Sequence, residues 1–306
     1  MKRKHFLLPL AVSFGFFMHP GFAEESTSTL KKIQSACAQG ANNCLISLGV
    51  RDASIPFSYK LNNDQYVGYS YEIAQRIIQE IRTKLKLPAL KVKDIPITSQ
   101  NRIPLLQNGT IDIECGSTTN NTERQKQATF TNSIFIIGTR LLTAKDSKIH
   151  DFDDLRGKTV VTTAGTTSER ILKKMNADKN MNMDIVSAKD HGQADLMLKS
   201  HRAAAFMMDD ALLYGERAKA KDKDKWVIVG TPQSFEAYGC MIRKDDPEFK
   251  KLADGVIAKL MRDGTAHKLY EKWFMQPIPP SNITLDFPLS EAMEDLFKLP
   301  NDRAFQ

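Results

Sequence analysis

Between residues 69 and 85 the apolar residues Ile73, Ile77, Ile81 and Leu85 recur every fourth position among polar neighbours. That is the spacing of one face of a helix. On either side the pattern changes. CLISLGV (44–50) and LKVKDIPI (90–97) are short apolar or alternating runs, which predict strands. The same reading gives a helix over 28–39 closed by Gly40, a helix over 102–106 stopped by Asn108-Gly109, and a strand over 111–115. A short helix over 122–127 and an extended segment over 133–143 follow. The order β-α-β-α-β favours a parallel, doubly wound sheet.

The pattern then repeats. Strands over 159–163, 184–187 and 203–208 alternate with helices over 166–175, 191–200 and 210–218. A strand over 226–229 and another over 237–243 lead to helices over 247–262 and 266–274, a Pro-rich segment at 277–280 and a short final helix. Two α/β blocks predict two lobes, with 133–143 and 235–243 as the candidate crossings. If the last helices pack back on the first block, lobe one is discontinuous: 24–134 and 237–306, with lobe two over 135–236. Ligands of such sheets bind beyond the carboxyl ends of the strands. Two facing lobes enclose a ligand by hinge closure.

The start of the chain reads as an address. Lys2, Arg3, Lys4 and His5 precede a mostly apolar stretch over 6–18, followed by Gly21-Phe22-Ala23. This is a signal-peptide pattern, too short to span a membrane, with cleavage expected after Ala23. No Cys follows that point, so the lipoprotein signature is missing. The expected location is periplasmic. An oxidising space permits disulfides among the four Cys. Cys37 and Cys44 are close in sequence, whereas Cys115 and Cys240 are far apart.

Composition narrows the classes. The chain has 306 residues, 42% of them apolar and 26% charged, with 16 Gly and 13 Pro, which excludes collagenous and disordered chains. The net charge of +7 falls to +4 once Lys2, Arg3 and Lys4 are removed. No Lys/Arg stripe interleaved with aromatics appears, so no nucleic-acid partner is expected. The run of Lys219, Lys221, Lys223 and Lys225 alternates with Asp222 and Asp224 and reads as a solvated turn. No metal-ligand spacing or cofactor motif is present, and none is expected.

The informative polar residues follow predicted strands. Arg51 follows 44–50; Ser99 and Arg102 follow 90–97; Ser117, Thr119 and Arg124 follow 111–115. Thr166, Thr167 and Ser168 open a helix behind Gly165, His191 opens the next, and Asp209 follows 203–208. Singly, each has an ordinary reading: a surface Arg, a capped helix start, a loop histidine, an N-cap Asp. Their shared placement is what points to a cleft. Guanidinium forks match carboxylates, and a single Asp among hydroxyls suits an ammonium. The implied ligand has about two carboxylates and one ammonium, an acidic amino acid.

The stretches VRDASIPFSY, PITSQNRIPLLQNGT, ECGSTTNNTERQKQATF, DLRGKTVVTTAGTTSE, AAAFMMDDALL and EAYGCMIRKDDP carry a resemblance. In this order the chain resembles the periplasmic solute-binding proteins for polar amino acids that feed ABC importers (solute-binding protein family 3), in particular those for glutamate and aspartate. The resemblance implies an α/β, type II periplasmic-binding-protein fold, with two doubly wound lobes joined by two hinge strands. It implies a monomer that captures L-glutamate or L-aspartate by hinge closure and delivers it to an inner-membrane ABC permease. It also implies roles. Arg124, Thr167 and Thr119 would hold the α-carboxylate, Asp209 and Ser117 the α-ammonium, and Arg51, Ser99, Arg102 and His191 the side-chain carboxylate. Glutamine-type members carry a Lys where this chain has Thr163. A Cys115–Cys240 bridge fits two residues in lobe one near the crossing, whereas nothing in the resemblance speaks for Cys37 and Cys44. The rival class is a dehydratase on the same fold, against which stand the lack of a nucleophile with an adjacent base and an Asp209 already engaged. A sensor presenting ligand to a receptor is the third reading.

Overall fold

The structure, a computed structural model, describes residues 28–304. The expected signal segment 1–23 lies outside the described residues. Helix α1 (Thr29–Ala38) leads into strand β1 (Leu45–Val50). Strands β2 (Ala53–Ser54), β3 (Ser58–Lys60) and β4 (Tyr66–Val67) form a small antiparallel sheet. Hydrophobic patterning gives no sign of it, because strands this short contain no period to read. Helix α2 (Tyr69–Leu85) buries Ile73, Ile77 and Ile81 as predicted, and Ala74 and Ile78 widen the stripe. Strand β5 (Lys91–Pro96), helix α3 (Arg102–Gln107), strand β6 (Ile113–Glu114) and helix α4 (Thr122–Gln125) follow, and then the 16-residue strand β7 (Thr129–Ala144).

The second block contains β8 (Thr159–Thr163), α5 (Thr167–Asp178), β9 (Asp184–Ala188), α6 (His191–Lys199), β10 (Ala205–Asp209), α7 (Asp210–Lys219) and β11 (Trp226–Val229). Strand β12 (Phe235–Ile242) returns the chain to helices α8 (Pro247–Arg262), α9 (Thr265–Tyr270) and α10 (Glu291–Lys298). The helix predicted over 266–274 is divided: α9 gives way to a π-helical turn at Glu271–Met275.

Among the described residues nine strands form one sheet in the order β5-β1-β6-β12-β7-β10-β8-β9, with β11 also on β7. The expected parallel pairing holds within β5-β1-β6 and within β10-β8-β9. Between these groups β7 and β12 run antiparallel to each other. The part of β7 up to Gly138 pairs with β12, and the part from Thr139 onward pairs with β10 and β11. The two candidate crossings are therefore neighbouring strands, which allows a bend at one place.

The C-terminal helices do pack on the first block, where α8 lies against α2, α1 and β7. Asp246 fastens this junction. It accepts from Thr29 N at 2.7 Å and Ser28 Oγ at 3.2 Å, and also from Phe249 N at 3.2 Å. One carboxylate thus satisfies orphan donors of both α1 and α8. Under the sheet an aromatic cluster joins Phe57, Phe135 and Phe274, with ring centroids 4.8 Å apart for Phe57–Phe135 and for Phe135–Phe274. Both Cys pairs are bridged: Cys37–Cys44 ties α1 to the approach to β1, and Cys115–Cys240 ties the end of β6 to β12. Lys221, Lys223 and Lys225 are exposed, as a solvated turn requires.

Candidate functional site

The cleft is built where the two groups of parallel strands end. Arg51 directly follows β1, Arg102 opens α3 beyond β5, and Arg124 sits in α4 beyond β6. None is a surface charge: their exposures are 2%, 1% and 9%. They lie within Coulombic reach of one another. Burial, then the Arg102 charge, pushes Arg51 down to about 10 and Arg124 down to about 9. Arg102 is lowered as well, chiefly by burial. All three stay cationic at neutral pH, because a guanidinium loses its proton only far above it.

The hydrogen bonds of Arg51 and Arg102 are incomplete. Arg102 Nη1 donates to Ser117 O at 3.2 Å and to Thr118 Oγ1 at 2.5 Å, while its Nε has no partner. Arg124 Nη1 donates to Thr119 O at 2.9 Å and Nη2 to Gly165 O at 3.3 Å, which spans from the first lobe to the second. Arg51 Nη1, Ser99 Oγ, Ser117 Oγ and His191 Nε2 are buried without a hydrogen-bond partner in the protein. Buried polar groups are normally satisfied, and each orphan costs about 1–3 kcal/mol. Several orphans among residues at the same strand ends mark a place shaped for a polar guest.

The second lobe supplies the rest. The helix start behind Gly165 divides its hydroxyls. Thr166 Oγ1 accepts from Glu169 N at 3.1 Å and so is an ordinary cap, which removes it from the candidates. Thr167 Oγ1 donates to Glu236 at 2.7 Å and Ser168 Oγ to Asp209 at 3.0 Å. Gly165 has φ +77°, and a Cβ there would stand 2.8 Å from the Gln100 backbone, so only glycine allows this approach of the lobes. Asp209 occupies the N-cap position of α7 without making a side-chain cap bond. It accepts instead from Ser168 and from the Tyr238 hydroxyl. Burial, then the Glu236 charge, pushes its carboxyl up to about 7. His191 Nδ1 pairs with Thr163 Oγ1 at 2.8 Å. Burial and the charges of Arg51, Arg102 and Lys219 hold its pKa well below the usual histidine value, so the ring is neutral.

Every site residue expected from the sequence, Arg51, Ser99, Arg102, Ser117, Thr119, Arg124, Thr167, His191 and Asp209, is buried at this junction. Four partners escape the sequence reading: Glu114, Thr118, Glu236 and Tyr238. Glu114 and Glu236 are 0% and 1% exposed. Thr118 Oγ1 donates to Glu114 at 2.7 Å, and burial raises the Glu114 carboxyl despite the nearby Arg102 and Arg51. A signal existed. Glu236 stands in an otherwise mostly apolar strand, FEAYGCMI, and Glu114 lies between Ile113 and Cys115, and a charge buried in a strand needs partners.

The model of the bacterial extracellular solute-binding proteins, family 3, matches residues 46–276. The glutamate/aspartate import solute-binding protein of Escherichia coli (strain K12) is 56% identical, over 97% of this chain and 96% of that one. The L-glutamate/L-aspartate-binding protein of Pseudomonas aeruginosa is also 56% identical, with 97% of each chain covered. Among solved structures, an ancestral arginine-binding protein bound to arginine is similar with a TM-score of 0.67 at 30% identity, over 75% of this chain and 98% of that one. The fold is accordingly that of the type II periplasmic binding proteins, two α/β lobes around one cleft. On sequence and structure together, the chain belongs to the bacterial extracellular solute-binding proteins, family 3.

Proposed function

We propose that this chain captures L-glutamate or L-aspartate in the periplasm by closing two hinged lobes on it, and hands it to an inner-membrane ABC permease. The observation that carries this is the set of three buried guanidiniums, two of them (Arg51 and Arg102) with a donor left unpartnered, gathered near the buried Asp209 carboxyl that suits an ammonium. Arg124 takes the α-carboxylate with the N–H groups near Thr119 and Thr167. Asp209 and Ser117 take the α-ammonium. Arg51, Arg102, Ser99 and His191 surround the side-chain carboxylate. In the tautomer in which Thr163 donates to Nδ1, His191 presents Nε2–H to the carboxylate, a neutral donor that adds no further charge.

Glutamine carries an amide in place of that second carboxylate. It would leave a buried guanidinium partly unpaired, at a cost of about 3–5 kcal/mol. The two curated relatives are binding proteins, which favours capture over dehydration. The lobes are 24–134 with 237–306, and 135–236, and cleavage after Ala23 frees the mature chain. Mass spectrometry of the exported protein reads the cleavage site. Thermal melting of the mature chain against all twenty amino acids tests the ligand, since a ligand of the folded state raises Tm. Glutamate and aspartate should stand out. No shift with either rejects the assignment.

A further inference from the structure

Glu236 has no place in the ligand set above, yet it is fully buried on β12, where that strand runs beside β7 between the lobes. Its carboxylate draws hydroxyls from both sides. Thr119 Oγ1 of the first lobe donates to Oε2 at 2.5 Å, and Thr167 Oγ1 of the second donates to the same oxygen at 2.7 Å. Ser234 Oγ donates to Oε1 at 2.9 Å and is itself paired with Thr139 of β7 at 2.5 Å.

A hydroxyl has one proton to donate, and an ionised carboxylate has none. Thr119 and Thr167 therefore both give their protons to Glu236, and only lone pairs remain for the cleft. A ligand carboxylate gains no hydrogen bond from such oxygens. An ammonium, with three donors and no acceptor, does.

We propose that Glu236 is a positioning residue for amino-group recognition. By taking the protons of Thr119 and Thr167 it turns both hydroxyls into acceptors for the α-ammonium and leaves the α-carboxylate to Arg124 and backbone N–H groups. Because the threonines come from different lobes, the arrangement is complete only when the lobes meet. Glu236 thereby makes amino-group recognition depend on closure. This inference rests on the reading of the cleft as an amino-acid site, and it narrows the part that the family resemblance gives to Thr119 and Thr167.

The test compares L-glutamate with glutarate, which has both carboxylates and no amino group, by calorimetric titration of the mature chain and of Glu236→Leu. Leucine takes no proton from either threonine, so both hydroxyls are released to donate to a ligand carboxylate. Glutamate affinity is expected to fall at least tenfold while glutarate affinity changes less than threefold, so the preference for the amino group shrinks. An equal fall for both ligands, as a purely structural role would give, overturns the proposal, and so does unchanged glutamate affinity. Should Glu236→Leu not fold, Thr167→Ser and Thr167→Val decide. Ser is expected to keep the preference and Val to lose it, and identical behaviour of the two overturns the proposal. Failure of the acidic-ligand reading has a different signature, a wild-type chain that binds another amino acid in place of glutamate. The variants are then scored with that amino acid and its deamino analogue.

Discussion

The Tyr238 hydroxyl donates to Asp209 across the cleft, while the Tyr238 ring stands edge-on to Phe57 at 5.1 Å in the aromatic core. Asp209 is thus held both by its own strand, β10, and by a ring fixed in the core. Burial and the Asp209 charge raise the phenol well above its usual range, so it acts only as a donor.

This arrangement predicts proton release on binding. Asp209 titrates at about 7, raised by burial and then by Glu236; Asp210 also raises it, while Tyr238 and Ser168 lower it. A carboxyl with a folded pKa above its unfolded value contributes stability that is complete below the unfolded value, 3.8, and is lost as pH rises through about 7. An ammonium favours the ionised form, so binding near pH 6.5 expels a fraction of a proton, roughly as linkage requires. Titrations in buffers of different ionisation enthalpy measure it. Release should vanish in Asp209→Asn and move to higher pH in Tyr238→Phe. Buffer-independent heats in the wild type would contradict the assignment.

Arg51 is the cleaner test of the side-chain subsite. Its Nη1 lacks a protein partner, whereas Arg102 also holds Ser117 O and Thr118. Arg51→Met should weaken glutamate binding by about 3–5 kcal/mol, roughly two to four orders of magnitude in Kd. Arg102→Met should lose as much affinity and more stability, because it strands the buried Glu114. Calorimetry together with urea unfolding separates the two effects. Near-wild-type affinity in Arg51→Met would remove Arg51 from the site.

Gly215 tests closure without touching the ligand. A Cβ at this position of α7 would stand 2.4 Å from Ile55 O, in the turn between β2 and β3 on the other lobe. Alanine favours a helix over glycine by about 1 kcal/mol, which benefits the open form. The closed form meets the clash. Gly215→Ala should keep or raise the Tm of the unliganded chain, lower ligand affinity at least tenfold and enlarge the scattering radius with ligand present. Unchanged affinity would show that this contact does not gate closure.

The disulfides should differ in worth. Cys115–Cys240 closes 125 residues and Cys37–Cys44 only 7. Loop entropy favours the longer closure, at about 2–5 kcal/mol against a smaller gain. Replacing the long-range pair by serines should lower Tm by on the order of 10 °C, and replacing the short-range pair should lower it less. The reverse order in calorimetric scans would mean that strain or residual structure outweighs chain entropy.

Much of the fold was legible because local periodicity dictates it. Helix α2 keeps its predicted bounds, Tyr69–Leu85, and so does strand β8, Thr159–Thr163. The strand-end positions of Arg51, Arg102, Arg124, Thr167, His191 and Asp209 also follow from element order, since the carboxyl ends of parallel strands share one edge. The three-stranded sheet at β2–β4 was invisible, being too short for a pattern. The antiparallel course of β7 and β12 was invisible as well, because strand direction is set by which strand lies alongside.

The site divides in the same way. The residues along the chain determined its inventory: cations, hydroxyls and one acid placed after strands, with glycine where the backbone must turn. Tertiary structure alone decided which of those groups are already engaged. Glu236 meets Thr119 from 117 residues away, and Tyr238 meets Asp209 across 29. A hydroxyl becomes donor or acceptor according to its partner, and a carboxyl titrates according to its burial. Both depend on neighbours that only the folded chain brings together.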